Sequence, residues 1–368
     1  MKTISISSFV TVLLFALAPL SVAQTPVVNN AKRQQLSAAG GLKAAIDSVA
    51  QKQSTPAWMG YKIPAVAKER TMCCFDSTSD FNGARNGGKC CMGCNMEAEK
   101  GGNFSGTVSD CSPPEPYAYA FVFFRLEDKQ VRKVRVYSPD CALDFNNLPL
   151  YWLENVNPAQ SVEMLTELAL AAPTEGEGKK DSSSRAVQAI AMHDDTSADA
   201  ALEKLIQPGN SSHMRKNVAF WLGNERGKRG WEILHKYAKT DSDDGFRAQA
   251  TFAFSQSKEP GALEDLISMA HNDPSTHVRG QAIFWMSQLG GRKLASQITD
   301  AIENDPDTGV KKKAVFALSQ LHDGEGVPML ISVAKTNRNP AVRKQAIFWL
   351  GQSRDPRALE YLEQILTK

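Results

Sequence analysis

The chain has 368 residues, a formal net charge of +2 and a hydrophobic fraction of 42%. That length admits two domains, and the composition is that of a folded chain rather than a disordered one. The near-neutral balance gives no field that would draw the protein to nucleic acid or to an anionic membrane.

Lys2 precedes an apolar run from Phe9 to Leu20, interrupted by Thr11 and Pro19 and followed by Ser21-Val22-Ala23. Small residues at the two positions read by a signal peptidase predict a Sec-type signal peptide over residues 1–23, with Gln24 starting the mature chain. The run falls short of the ~20 residues that span a bilayer, and no second apolar segment of membrane length follows. The expectation is an exported protein, periplasmic or extracellular, without a membrane span after cleavage.

Residues 24–172 predict a small Cys-rich α+β domain. Leu36–Gln51 has the pattern of a short helix and Trp58–Pro64 that of a strand. Tyr117–Leu126 and Val131–Tyr137 predict a hairpin around Glu127-Asp128-Lys129. Val134 and Val136 alternate with Lys133, Arg135 and Tyr137, as on a half-buried edge strand. Pro158–Ala171 reads as a helix, and residues 173–184, rich in Gly, Glu, Lys and Ser, as a polar linker.

All seven cysteines lie in this front half: Cys73, Cys74, Cys90, Cys91, Cys94, Cys111 and Cys141. An exported chain favours disulfides, and adjacent cysteines seldom bond to each other. Seven leaves one thiol over, and the connectivity is not readable. Two other readings stay open. Cys91-x-x-Cys94 has zinc-knuckle spacing that Cys90, Cys111 or the Cys73-Cys74 pair could complete; the same motif could be redox-active. Gly83-x-x-x-x-Gly88-Lys89 starts like a phosphate-binding loop, but Cys90 stands where Ser or Thr would hold magnesium.

From residue 185 the chain is repetitive. Segments beginning at Met214, Phe246, Val278, Val310 and Val342 align without a gap at a spacing of 32 residues. Between them, Leu234, Leu266, Ile298, Leu330 and Leu362 keep one phase, and Ala238, Ala270, Ile302, Ala334 and Leu366 another. Each repeat is therefore two helices. Arg185–Ile206 has the look of a degenerate sixth, a capping unit. The fold class predicted is mostly α: a C-terminal α-solenoid of about six two-helix repeats over residues 185–368, behind the α+β domain.

Three ladders run along the array. Phe220, Phe252, Phe284, Phe316 and Phe348 fall out of phase with the core face, edged by Gln256, Gln288, Gln320 and Gln352. Either each Phe packs against the next repeat, or the row lies on a concave binding surface. Trp221, Trp285 and Trp349 alternate with Ala253 and Ala317 and read as core packing. Arg247, Arg279, Lys311 and Arg343 form a basic row, with Asp241, Asp273 and Asp305 six residues before its first three members. Carboxylates tying one repeat to the next suit this row better than nucleic acid does.

Val342-Arg343-x-x-Ala346-x-x-x-Leu350-Gly351, preceded by a turn containing Asn, resembles the short HEAT repeat of the phycobilisome-lyase type. Some proteins of this kind are bilin lyases. A HEAT-repeat deoxyhypusine hydroxylase carries paired His-Glu motifs for iron, and none of the six His here is followed by Glu. Met72-Cys73-Cys74, Asp140-Cys141-x-Leu143 and Tyr151-Trp152-Leu153 resemble the front regions of exported bacterial HEAT-repeat proteins. Gly-x-Ser-x-Gly and His-Glu-x-x-His are absent. The resulting expectation is a non-catalytic scaffold that binds a protein, without a cofactor or resident metal. The alternative is a thiol- or metal-dependent enzyme centred on the cysteines. The oligomeric state is not readable.

Overall fold

The computed structural model describes residues 25–69, 94–97, 116–139, 141–171 and 177–367. The signal-peptide segment, the Gly83–Lys89 stretch and Cys73, Cys74, Cys90, Cys91 and Cys111 lie outside the described residues.

The front part contains β1 (Val27–Asn29), β2 (Arg33–Ser37), α1 (Leu42–Lys52), β3 (Ala57–Glu69), β4 (Cys94–Asn95), β5 (Pro116–Glu127), β6 (Gln130–Tyr137), β7 (Ala142–Asp144), β8 (Leu150–Glu154) and α2 (Pro158–Ala171). A five-stranded sheet has the order β2-β8-β3-β5-β6. Strand β8 pairs in parallel with β2 and β3, while β3, β5 and β6 form an antiparallel meander. The β5–β6 turn puts Asp128 and Lys129 at φ values of 50° and 61°, the double positive that matches the twist of a tight hairpin.

Alternation along β5 sends Val122 and Phe124 to one face, and Phe121 and Phe123 to the other. The first face packs on helices. The second meets Cys94, Met96, Cys141, Leu143 and Phe145, carried by or beside a three-stranded parallel sheet of order β1-β7-β4. The large sheet is thus a central layer. Strand β6 is at its edge, but its expected solvent face is lost: Arg135 and Tyr137 are buried along with Val134 and Val136.

Helix α3 (Glu177–Met192) occupies residues 177–184, which composition had marked as linker. Its polar residues have partners: Ser183 is buried and donates to Ala169 O at 3.0 Å, and Ser182 donates to Arg132 O at 2.9 Å. The helix lies on β6 and α2, so the buried residues of the sheet's helical face and of the array form one continuous cluster. At this junction Tyr61 Oη and Ser161 Oγ are 2.8 Å apart, Ser161 Oγ and His193 Nε2 2.9 Å, and His193 Nδ1 lies 2.7 Å from Ala189 O. All three side chains are buried. Burial lowers the His193 pKa from its ordinary 6.5 to about 4, so the ring is neutral at physiological pH.

With α3 pairs α4 (Thr196–Leu205). Five further hairpins follow: α5 (Ser212–Glu225) with α6 (Gly227–Ala238), α7 (Asp244–Gln256) with α8 (Pro260–Asn272), α9 (Thr276–Leu289) with α10 (Arg292–Asn304), α11 (Thr308–Ser319) with α12 (Val327–Thr336), and α13 (Pro340–Gln352) with α14 (Pro356–Leu366). Asp243, Asp307 and Asn339 cap first helices by accepting backbone N–H groups. Pro260, Pro340 and Pro356 start helices where no N–H partner is needed. Gly223 permits the close approach of α5 and α7, because a Cβ there would collide with the Ala253 carbonyl.

Candidate functional site

The repeats are joined by a buried charge ladder. Arg247 Nε and Nη2 donate to the two carboxylate oxygens of Asp273 at 2.8 and 2.9 Å, while Nη1 donates to Asp241 O at 2.7 Å. Arg279 repeats this with Asp305 at 2.7 and 3.0 Å and with Asp273 O at 2.9 Å. Arg215 begins the series by pairing with Asp241. Each Arg therefore grips the turn behind it and the turn ahead. The fork matches a carboxylate's geometry, and donating to Asp273 and Asp305 raises the pKa values of Arg247 and Arg279. Asp241, Asp273 and Asp305 also accept the backbone N–H two residues on, holding their own turns. Lys311 and Arg343 depart from the pattern. Lys311 Nζ donates to Glu303 O at 2.6 Å, and Arg343 Nη1 to Asn337 O at 2.8 Å. The buried contacts of Arg247 and Arg279 engage those two guanidinium groups within the protein, whereas the Lys311 contact is exposed and that of Arg343 half-buried.

The first helices α5, α7, α9, α11 and α13 contact one another extensively, whereas the second helices touch sparsely. The first helices thus form the more closely packed of the two rows. Phe220, Phe252, Phe284 and Phe316 stand half-buried on this row, and Phe348 is exposed. Phe220 and Phe252 stack at 5.8 Å and 19°. Phe252 meets Trp285 at 4.5 Å, Phe284 meets Trp285 at 5.0 Å, and Phe316 meets Trp349 at 4.9 Å. The rings therefore pack laterally between repeats and keep a partly exposed edge. Trp221, Trp285 and Trp349, read as core, are half-buried members of the same aromatic seam, while Ala253 and Ala317 are fully buried. A helical wheel puts Trp349 on the flank of the core face; the wheel cannot register the neighbouring repeat's Phe316, which shares that flank.

Gln256, Gln288, Gln320 and Gln352 are exposed at the ends of these helices. Three of them extend a relay that sequence reasoning missed. Ser255, Ser287 and Ser319 donate to the carbonyls of Phe252, Phe284 and Phe316, each at 2.7 Å. The adjacent Gln amides donate to those serines at 3.2, 3.4 and 3.1 Å. The relay ties each amide to the end of its helix. The signal was the Ser-Gln pair recurring three residues after Phe252, Phe284 and Phe316, with Gly223-Asn224 in its place after Phe220. In the last repeat Gly351 takes the serine's place.

In the front part, Cys94 and Cys141 are buried in the second core, and Ser138 Oγ lies 3.4 Å from Cys141 Sγ. Glu97 pins this segment to the sheet: it accepts from Trp58 Nε1 at 2.7 Å and from Arg125 Nε at 2.9 and 3.0 Å. Burial alone would raise the Glu97 pKa, but the Arg125 and Trp58 hydrogen bonds outweigh it and lower it. Among the described residues, no group of three His, Cys, Asp or Glu side chains could hold a metal ion, and no helix is long and apolar enough to cross a membrane.

No curated protein matches the sequence. Several solved structures are similar at low identity. Human deoxyhypusine hydroxylase in complex with glycerol is 16% identical over 56% of this chain and 89% of that one, with a TM-score of 0.29. The E. coli protein YibA is 22% identical over 58% and 82%, with a TM-score of 0.37. Kap121p bound to Nup53p is 14% identical over 57% and 25%, with a TM-score of 0.30. The HEAT-repeat family matches residues 231–318 and 295–368. The C-terminal region of this chain is a HEAT-repeat solenoid.

Proposed function

We propose that this chain is an exported, non-catalytic scaffold whose solenoid binds a protein partner along the closely packed row of first helices. The observation that carries this reading is the aromatic seam with open edges from Phe220 to Phe348. Aromatic rings supply large contact area at low entropic cost and are enriched at interfaces. The oriented amides of Gln256, Gln288 and Gln320 add donors and acceptors beside the rings. Together they suit a partner segment that offers apolar side chains and backbone polar groups in alternation. The charge ladder serves the array itself. Disulfides among the front-half cysteines would staple the domain that closes one end of the array.

The test is cross-linking capture from the extracytoplasmic fraction of the native host, using the mature chain as bait. A second bait carries Phe252→Ser, Phe284→Ser and Phe316→Ser and is checked for folding by circular dichroism. A protein bound by the first bait and lost by the folded second supports the reading. Equal capture by both baits places binding elsewhere. Thiol and metal counts on the non-reduced protein address the enzymatic alternative, because free reactive thiols or bound zinc would point to the front half.

A further inference from the structure

The chain as a whole is nearly balanced in charge, with 42 Lys and Arg against 40 Asp and Glu. The later first helices of the array are not. Helix α9 contains one Lys or Arg, α11 three and α13 two, and none of the three contains Asp or Glu. Arg279, Lys311 and Arg343 are engaged within the protein. Lys312, Lys313 and Lys344 are exposed and make no ion pair or hydrogen bond with the described residues. The carboxylates closest before them in sequence, Asp305 and Asp307, are held by Arg279 and by the α11 backbone. The second-helix row differs: Arg229 and Lys236 pair with Glu203 at 3.1 and 2.7 Å, and Lys239, just beyond α6, pairs with Asp265 at 3.0 Å.

The unpaired ammonium groups stand on the aromatic seam. Lys312 and Lys344 precede Phe316 and Phe348 by four residues, which sets each pair on one helix face. Lys313 lies across the preceding repeat: a Cβ on Gly280, four residues before Phe284, would come within 2.6 Å of Lys313 Cδ. The same stretch holds an unmet donor. Trp349 Nε1 is buried with no acceptor among the described residues, and Trp349 lines a cavity of about 260 Å³ together with Ser319, Gln320 and Gln352. Cations and an unmet donor both ask for acceptors. We infer that the seam from Phe284 to Phe348 takes an acidic segment of a partner protein, with apolar side chains on the rings and carboxylates toward Lys312, Lys313 and Lys344. This rests on the first-helix row being the binding surface, and it adds the sign of the partner. Complementary charge of this kind selects among partners by attracting one sign and repelling the other.

Fluorescence anisotropy with the full chain tests the inference, using three labelled peptides of equal length built on a repeat of Leu, Ser and a third residue that is Glu, Gln or Lys. The Glu peptide is expected to bind wild type at least ~10-fold more tightly than the Gln peptide, and the Lys peptide more weakly still. In ~1 M salt, where the screening length falls to ~3 Å, the advantage of Glu over Gln should vanish. The variant Lys312→Glu/Lys313→Glu/Lys344→Glu, shown to be folded by circular dichroism, is expected to prefer the Lys peptide. Equal binding of the Glu and Gln peptides by wild type, or no binding of the Glu peptide, overturns the inference without recourse to any variant. A Glu preference that persists in the folded Lys variant overturns it too. Displacement of the Glu peptide by inorganic polyphosphate at the same charge concentration overturns it in favour of a general polyanion site. The variant Phe252→Ser/Phe284→Ser/Phe316→Ser separates the two readings. Equal Glu and Gln binding that this variant loses removes the acidic preference and keeps the aromatic surface, whereas Glu binding that it retains in full removes the surface and the inference with it.

Discussion

Lys311 and Asn337 are joined through Glu303: Lys311 Nζ donates to its carbonyl at 2.6 Å, and Asn337 Nδ2 to its carboxylate at 3.0 Å. One repeat earlier the same two positions hold Arg279 and Asp305 in a bidentate fork. Both members of the pair differ at this step. A lysine cannot make the fork, so a carboxylate ahead of it would be buried without its partner. An asparagine still holds the turn, accepting from the Asn339 N–H at 3.0 Å.

Restoring the fork should therefore need both changes. Asn337→Asp alone buries a carboxylate beside Glu303 and lowers stability. Adding Lys311→Arg recovers the loss, with a coupling energy of about 1–3 kcal/mol. Urea denaturation of the four proteins in the cycle measures it, and additive effects would mean that the fork does not form at this step.

The intact steps should be costly to break from one side. Arg247→Ala leaves Asp273 buried without its charge partner and should cost about 3–5 kcal/mol. Arg247→Lys keeps the charge, loses the fork and should cost less. Hydrogen exchange should place the added opening in α7, which carries Arg247, and in α8 and α9, the helices flanking the Asp273 turn.

Along the aromatic seam the cost of truncation should follow ring contacts. Phe348 is 53% exposed, and Phe348→Ala should change stability by no more than about 0.5 kcal/mol. Phe252 touches both Phe220 and Trp285, and Phe252→Ala should cost about 2 kcal/mol, below the range for a fully buried ring. Thermal melts of the two variants decide it; equal losses would contradict the exposure gradient.

Acid should weaken the junction between sheet and solenoid. The folded pKa of His193 is depressed to about 4 by burial, from 6.5. Between those values the unfolded chain binds the proton and the folded chain does not. The stability contributed by the neutral ring is complete above about pH 6.5 and is lost as the pH falls towards 4, about 3 kcal/mol in all. Urea midpoints from pH 4 to 7 measure the slope, and His193→Gln should flatten it.

The solenoid was legible because its signal is repeated: five copies at one spacing average out local exceptions such as Lys311. Pro158–Ala171 and the β5–β6 hairpin were legible because their signals are local. Strands β1, β2, β7 and β8 were not, since each has five residues or fewer and pairs in parallel with a distant segment. Residues 177–184 read as linker because composition counts polar atoms and cannot know that Ser183 will find the Ala169 carbonyl. The aromatic seam was half legible. Its Phe phase was visible, but the place of Trp285 depends on a ring one repeat away.

The continuous core between sheet and array gives the solenoid a direction. A row of near-identical repeats would otherwise open with equal ease from either end. Here one end is fastened through His193, Ser161 and the buried face of α3, and the other ends in exposed leucines. Unfolding should run as a front that starts at α14 and travels towards the sheet, so the aromatic seam is lost ring by ring from Phe348, and Phe220 is the last to go.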